Sequence, residues 1–199
     1  MKPLLPFLAA VSLLSGAELL TQGERDRAMS ELHASRKLFL DSIAGLSPEQ
    51  WNFKPGPDRW SVAECAEHIA LSEDSLLELV KKVVSGPAIT EKRPDPRSKD
   101  EQLLKMVTDR SRKAQAPEFL RPTHRWPTQQ DLVSHFKSSR DRTIAYVQTT
   151  QDDLRAHVAP HPALKELDAY QWLLLIAAHS ERHTAQINEV KADPNFPKK

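Results

Sequence analysis

The chain has 199 residues, which is enough for one domain with a hydrophobic core and too few to predict two. Its 28 basic and 27 acidic residues give a formal net charge of +1, so the charge provides no case for nucleic-acid binding. The single cysteine, Cys65, excludes an internal disulfide framework and a Cys-x-x-Cys metal or redox site. Any metal site in this chain must therefore use imidazole and oxygen ligands.

Residues 1–20 differ in composition from the rest of the chain. Lys2 precedes an uncharged run, residues 3–14, and small residues at positions 15–17 are typical of a signal-peptide cleavage site. The apolar run is too short to span a bilayer, so no stable membrane span is expected. Two interpretations remain open. A cleaved signal peptide of about the first 17 residues would make the protein exported or periplasmic, whereas an N-terminal extension packed on the domain would suit a cytoplasmic protein.

Windows without glycine or proline predict the helices, because these two residues interrupt helices most strongly. We predict long helices over Glu24–Ala44, Ser61–Val84, Thr128–Thr150 and Asp168–Val190, and short ones over Leu46–Trp51 and Lys99–Ala116. Loops are expected over residues 52–59, 89–97, 117–127 and 154–163. No stretch alternates apolar and polar residues as a half-buried strand does. The sequence therefore predicts an all-α bundle of four long helices with one or more short connecting helices, spanning residues 21–192 with a tail at 193–199.

The predicted helix Asp168–Val190 carries two histidines on its apolar side. Ile176, His179, His183 and Ile187 recur at intervals of three or four residues, which is the period of one helix face. Two imidazoles one turn apart can reach the same divalent cation at about 2.0–2.1 Å. The alternative is a pair of core histidines whose nitrogens are satisfied by hydrogen bonds.

A zinc-protease motif is excluded by the residues between these histidines. In His-Glu-x-x-His the glutamate directly follows the first histidine and acts as the general base. Here Glu181 is two residues past His179, about 200° around the helix, and points away from the metal. Arg182 occupies the position that the reversed motif reserves for glutamate.

A third ligand is needed, and His68 is the best candidate among the other six histidines. It lies near the start of the helix Ser61–Val84, on the apolar side with Cys65 and Ile69. Cys65 could also reach the site, although a small core residue is the simpler interpretation. The remaining histidines lie off a clear core stripe or in predicted loops: His33, His124, His135, His157 and His161.

Arg140 and His161 are candidates for contact with a substrate. Arg140 lies close to the apolar face of the helix Thr128–Thr150, where a charge must be partnered. Its planar fork suits a substrate carboxylate, and the alternative is an ion pair between helices. His161 stands before Pro162 in a predicted turn, where it either lines the mouth of the site or lies on the surface.

Three motifs in order make the chain resemble the DinB-like (DinB/YfiT-like) metal-binding four-helix bundle family. They are the run from Trp60 to Ile69, the His161-Pro162 turn, and the run from His179 to Ile187. The resemblance covers roughly residues 24–190. It implies an up-down-down-up bundle and a divalent metal, often nickel or zinc, held by His68, His179 and His183.

The resemblance also implies an activity. Family members of known function resemble thiol-dependent transferases and isomerases that use bacillithiol, mycothiol or a similar small thiol. We therefore expect a thiol-dependent S-transferase acting on an electrophilic small molecule. A metal-dependent hydrolase and a non-catalytic, metal-stabilised binding or stress protein remain as alternatives, and export would favour these two. Exposed helix faces could pair in a homodimer, although no interface signature is visible.

Overall fold

The computed structural model describes residues 19–89, 95–111 and 115–198. Its elements are α1 (Gln22–Ile43), α2 (Pro48–Asn52), α3 (Val62–Val84), α4 (Arg97–Thr108), a 3₁₀ turn (Glu118–Leu120), α5 (Gln129–Thr149), β1 (Val158–His161), β2 (Lys165–Asp168) and α6 (Ala169–Lys191). Within these ranges, no helix combines the length and hydropathy needed to cross a membrane. Residues 1–17, on which the signal-peptide prediction rests, lie outside the described part of the chain.

Local sequence signals explain where the long helices begin and end. Ser61 and Asp168 precede α3 and α6, and each forms a reciprocal capping box with the residue three positions later. Such boxes satisfy backbone N–H groups that a helix start otherwise leaves unpaired. Gly45 follows the end of α1 with φ 65°, a left-handed conformation that glycine adopts without a steric penalty. The helix boundaries predicted from these residues are confirmed to within a few positions.

Hydrogen bonds between α1 and α6 show that these helices run in the same direction. The Tyr170 hydroxyl, at the start of α6, donates to the carbonyl of Glu24 near the start of α1. Lys191, at the end of α6, donates to the carbonyl of Ser42 near the end of α1. The first and last long helices are therefore parallel neighbours.

The two middle helices run against α1 and α6. Gln129, at the start of α5, donates to the carbonyl of Ile43 at the end of α1. Val62, at the start of α3, shares a buried cluster with Val190 near the end of α6. The order is therefore up-down-down-up, and the fold class and topology expected from the sequence are confirmed.

The bundle interior holds two hydrophobic clusters, and α6 passes through both. Residues 169 and 170 and 172–177 of α6 belong to the first cluster, together with the later half of α3. Ile187 and Val190 belong to the second, together with the early half of α3. The stretch of α6 that carries the two histidines lies between them. His179 and His183 therefore contact α3 between the two clusters of aliphatic side chains.

Helix α4 is shorter than predicted, ending at Thr108 instead of Ala116. The Asp109 side chain accepts a hydrogen bond from the backbone N–H of Ser111, which gives the chain a turn in place of another helical residue. Arg182 of α6 donates to the carbonyls of Val107 and Asp109, which helps to satisfy the end of the helix. The helix thus ends through side-chain contacts, one of them from a distant part of the sequence.

A short antiparallel hairpin, β1–β2, replaces the turn predicted over residues 154–163. The expectation that the chain has no strand is wrong here, although the hairpin is the sole sheet in the described ranges. Each strand has four residues and β1 contains Pro160, so the usual strand signals are weak. Lys165 closes the loop with φ 62°, a backbone conformation that glycine usually adopts in such turns. Because the residue here is lysine, the sequence does not indicate the turn.

The described part of the tail, residues 193–198, packs against the bundle. The rings of Phe196 and Phe53 meet edge to face with centroids 5.5 Å apart. Gln50 of α2 donates to the carbonyl of Pro197 at 2.9 Å. The tail therefore covers α2 and the second hydrophobic cluster.

Candidate metal centre

The fold brings together the three histidines that the sequence singles out. His68 comes from α3, and His179 and His183 come from α6. Each offers one ring nitrogen, and these three atoms lie within 4.8 Å of one another. Among the described residues, this is the one group of three or more His, Cys, Asp or Glu side chains placed to hold a metal ion.

Hydrogen bonds on the far side of two rings determine which nitrogen faces the cluster. The Nδ1 atom of His68 is 2.8 Å from the carbonyl oxygen of Leu120, so Nδ1–H donates to it. The Nδ1 atom of His183 is 2.8 Å from Oε1 of Gln186. In both rings this leaves Nε2 without a proton and free to bind a metal. Metal-binding histidines in proteins are almost always oriented by such contacts.

The spacing of one pair of nitrogens fits a divalent ion. The Nε2 atoms of His68 and His179 lie 3.2 Å apart. Two nitrogens bound at about 2.0–2.1 Å to one tetrahedral ion would be about 3.3 Å apart. Imidazole ligands suit zinc and nickel, and three protein ligands leave a fourth position for a substrate or cosubstrate. The donor set therefore suits a metal ion that keeps one position open.

Burial keeps the three imidazoles neutral, which is the form that binds metal. Burial first, and then the neighbouring His183 and His68, hold the pKa of His179 well below its usual value. Burial and the neighbouring His68 lower the pKa of His183 to about 3. Burial also lowers the pKa of His68, against the opposing effect of the Leu120 carbonyl.

Trp60 forms an apolar wall beside the histidines. Its ring centroid is 5.0 Å from that of His68 and 6.2 Å from that of His183. It directly precedes Ser61, the cap of α3, so the start of that helix fixes its position. The tryptophan keeps one side of the cluster away from water.

Sequence reasoning missed a buried carboxylate next to His68. Glu67 is only 4% exposed. Its carboxylate accepts hydrogen bonds from the backbone N–H groups of Thr123, His124 and Arg125, at 2.8, 2.9 and 3.1 Å. In the sequence, the one sign of a role for Glu67 was its position next to His68. The amides that its carboxylate binds lie in a predicted loop, where no local pattern points to them.

A second missed contact supports His183. Arg110 donates two hydrogen bonds to the Glu189 carboxylate, at 2.6 and 2.7 Å. Its third contact, at 3.4 Å, is with Oε1 of Gln186, the atom that faces His183. The side-chain amide of Gln186 is therefore oriented by its contacts with His183 and with Arg110, which follows α4 in the chain.

Arg140 lies in the bundle core and does not reach the histidine cluster. It is 0% exposed and pairs with Glu73 through two N–H groups of its guanidinium. The remaining donors bind the Leu32 carbonyl and the hydroxyls of Ser35 and Ser180. Every donor is occupied, so Arg140 forms the ion pair between helices that was the alternative and has no N–H left over for a substrate carboxylate.

Cys65 and His161 also lie outside the group of three ligands. Cys65 is 0% exposed, and burial raises the pKa of its thiol, so it is a core residue. The ring of His161, in the hairpin, is 5.2 Å from that of Trp172. Its Nδ1 accepts hydrogen bonds from two backbone amides of the hairpin loop. His161 therefore stabilises that loop.

Comparison with known proteins agrees with this fold. The model of the DinB superfamily matches residues 31–187. The uncharacterised protein YuaE of Bacillus subtilis (strain 168) is 28% identical over 163 residues, which cover 82% of this chain and 96% of YuaE.

Two solved structures share the architecture. YfiT from Bacillus subtilis, described as a probable metal-dependent hydrolase with an unusual four-helix bundle topology, has a TM-score of 0.58 at 15% identity, covering 90% of this chain and 93% of YfiT. TT2238, described as a four-helix bundle protein, has a TM-score of 0.54 at 19% identity, covering 83% of this chain and 98% of TT2238. At these identities the likeness extends to the fold.

Proposed function

The chain belongs to the DinB superfamily, and from this we propose that it is a metal-dependent enzyme acting on a small molecule. Its metal ligands would be the Nε2 atoms of His68 and His183 together with His179. Zinc or nickel is the proposed ion, since imidazole ligands suit both.

One observation carries this proposal. The Nδ1 atoms of His68 and His183 are held by oxygen acceptors, which leaves their Nε2 atoms for a metal, and one nitrogen from each of the three rings lies within 4.8 Å of the others. A hydrogen bond between core histidines would explain the contact of His68 with His179, but not the third ring beside them. Three neutral rings, one of them only 2% exposed, are instead what a divalent ion requires.

The reaction that suits the site best is transfer of a thiol to an electrophilic small molecule. Three neutral ligands would leave the charge of a divalent ion uncompensated, and the ion would stabilise an anionic nucleophile such as a thiolate. The thiol would release its proton to solvent, and its sulfur would attack the electrophilic carbon as the leaving group departs. Trp60 keeps water from one side of the site.

A hydrolase is the second candidate, because the structurally similar YfiT is described as a probable metal-dependent hydrolase. Attack by water benefits from a general base within hydrogen-bond reach. Among the described residues, no carboxylate joins the group of three histidines, and Glu181 is exposed. The arrangement therefore favours a nucleophile that needs no protein base.

Metal analysis of untagged protein tests the site. We expect about one divalent ion per chain in the wild-type protein and almost none in His68→Ala, His179→Ala or His183→Ala. His135→Ala is a matched control, because His135 is bonded to Asp74 on α3, away from the cluster. Unchanged metal content in all three ligand variants would overturn the assignment.

A reaction screen separates the two candidates. Zinc- and nickel-loaded protein would be incubated with a standard electrophile and a series of small thiols, and separately with ester and amide substrates. The proposal requires thiol conjugation that is lost with the metal and in His179→Ala. Metal-dependent hydrolysis without conjugation would replace the transferase assignment with the second candidate. Metal binding with neither activity would favour a non-catalytic protein.

A further inference from the structure

We propose that Glu67 is a positioning residue for the metal site, which acts by placing the Leu120 carbonyl against His68. This inference rests on the proposed function, because one of its tests measures the binding of a metal ion. Glu67 touches neither the ligand nitrogens nor a substrate. It acts through the loop of residues 120–125, whose first residue, Leu120, accepts a hydrogen bond from the His68 ring.

The bonding of Glu67 is unusual for a buried carboxylate. It accepts from three successive backbone N–H groups, those of Thr123, His124 and Arg125, with a weaker contact from the Thr123 hydroxyl at 3.5 Å. Within the described residues, no Lys or Arg side chain is bonded to it. Backbone amides supply the three short hydrogen bonds to the carboxylate, which is how successive N–H groups bind anions in loops.

The loop holds a conformation that its own sequence does not favour. His124 has φ 59°, in the left-handed region that residues other than glycine seldom occupy. The two carboxylate oxygens divide the amides between them, with Oε1 taking Thr123 and Arg125, and Oε2 taking His124. The carboxylate therefore compensates for the strained backbone and fixes the path of the chain just after Leu120.

The loop determines the proton position on His68. Leu120 directly precedes this segment, and its carbonyl accepts from Nδ1–H of His68 at 2.8 Å. Without that acceptor, the ring could carry its proton on Nε2, and a protonated Nε2 cannot bind a metal. The carboxylate thus acts on a nitrogen that it does not touch.

The carboxylate of Glu67 and the ring of His68 belong to the same helix. Glu67 and His68 are consecutive residues of α3, and consecutive side chains project about 100° apart. One side chain therefore faces the loop while the other faces the cluster. Because α3 carries both the carboxylate and the ligand, the loop is aligned with the ligand before any metal arrives.

Replacement of the carboxylate by its amide is the direct test. Glu67→Gln keeps the shape, but it offers one oxygen and turns an NH₂ group toward an N–H that needs an acceptor. We expect zinc and nickel affinity to fall by about 10- to 100-fold, as for other residues that orient metal ligands. Glu118→Gln makes the same charge change at an exposed position in the 3₁₀ turn and should leave the affinity unchanged. A folded Glu67→Gln protein with wild-type affinity would overturn the proposal.

Two measurements on the wild-type protein keep the proposal testable if Glu67→Gln fails to fold. Ring ¹⁵N shifts of His68 in metal-free protein should report a single tautomer protonated on Nδ1. Saturating zinc should slow exchange of the Thr123, His124 and Arg125 amides, because a coupling between two sites is reciprocal. The Ala169 amide in α6, bonded to the His157 carbonyl, is the control and should not respond. A mixture of tautomers, or no change in exchange at the loop amides, would count against the proposal.

The two proposals fail in different ways. If the wild-type protein binds neither zinc nor nickel, the proposed function is wrong, while the His68 tautomer in metal-free protein still tests the role of Glu67. If metal binds normally but Glu67→Gln shifts neither the affinity nor the tautomer, Glu67 only holds the loop and the metal site stands.

Discussion

Two polar clusters lie side by side in the bundle and differ in charge and in how fully their polar atoms are paired. The Arg140 cluster is charged, and every N–H of its guanidinium has an acceptor in one of the three other long helices. The histidine cluster is neutral, and one nitrogen from each of its rings lies within 4.8 Å of the others, with the Nε2 atoms of His68 and His179 in contact at 3.2 Å. The two are adjacent in sequence, because His179 belongs to one and Ser180 to the other.

The difference separates a polar cluster that is complete in itself from one that can take up a ligand. A network whose donors and acceptors match holds the helices in register and has nothing left to bind. In the histidine cluster the Nε2 atoms of His68 and His179 contact each other at 3.2 Å, and a cation bound between the rings would replace that contact. Folding stability should therefore depend mainly on the first cluster, and metal binding on the second.

The largest expected effect is on folding. Arg140→Met leaves the buried Glu73 charge without its partner, and removal of one member of a buried pair typically destabilises a protein by about 3–5 kcal/mol. Urea unfolding monitored by circular dichroism would measure the change. Zinc affinity of the folded fraction should remain within a few-fold of wild type. A large loss of zinc affinity in folded Arg140→Met would break the proposed separation.

The double variant Glu73→Leu/Arg140→Met sharpens the same point. It removes both charges, so no unpaired ion remains in the core, and such replacements are often close to neutral. We expect the double variant to be more stable than Arg140→Met in the same urea experiment. Equal instability of the two would show that packing, and not the unpaired charge, dominates.

The second expected effect is that bound zinc stabilises the folded protein. A ligand that binds only the folded state at 100 times its Kd stabilises it by about 2.7 kcal/mol. Zinc at that concentration should therefore raise the Tm of the wild-type protein, as measured by scanning calorimetry. His179→Ala should show no rise, whereas His135→Ala should behave as wild type. A rise in His179→Ala would point to zinc binding elsewhere.

The third effect is a pH dependence of the metal-free protein. The pKa of His183 is lowered to about 3 in the folded state, against 6.5 for an unperturbed histidine. Below about pH 6.5 the unfolded chain therefore takes up a proton that the folded protein does not. The free energy of unfolding should fall by about 1.4 kcal/mol per pH unit from this group, down to about pH 3.

Urea titrations at pH 5, 6 and 7 would measure this slope. His183→Gln should show a shallower dependence, because the substituted group does not titrate. An identical slope in wild type and variant would mean that folding does not lower the pKa of His183, which would contradict its burial as a neutral ring.

The smallest effect is at an exposed ion pair. Arg142 contacts Asp74 at 2.7 Å, with side chains 52% and 38% exposed. Such pairs contribute about 0–1 kcal/mol, so Arg142→Ala should change the urea midpoint little and leave zinc affinity unchanged. A loss comparable to that of Arg140→Met would contradict the distinction between buried and exposed pairs.

Much of the fold was predictable because its signals are local. The helical period around His179 and His183, and the capping box that starts α3, need only neighbouring residues. Together with the apolar stripe around His68, these signals identified the histidines that the structure brings together. The order of the helices came from the family resemblance.

The rest was not predictable because it depends on distant contacts. The acceptors of Arg140 come from three other helices, so its position near an apolar face left two roles open. Glu67 binds amides more than fifty residues away, which a local pattern does not reveal. The hairpin closes on Lys165 in a left-handed conformation, so the residue type there does not announce a turn.

The order of the helices has a consequence for the site. Since α3 and α5 are consecutive long helices pointing the same way, the chain between them must return along the full length of the bundle. This return includes α4, packed on α6, and then the segment with Leu120 that covers His68. An alternating bundle would join the same two helices by a short hairpin and leave that imidazole open to solvent. The Leu120 carbonyl, which fixes the proton of His68 on Nδ1, is therefore present because of the order in which the helices are connected. A different connection of the same helices would remove this carbonyl without changing any of the three histidines.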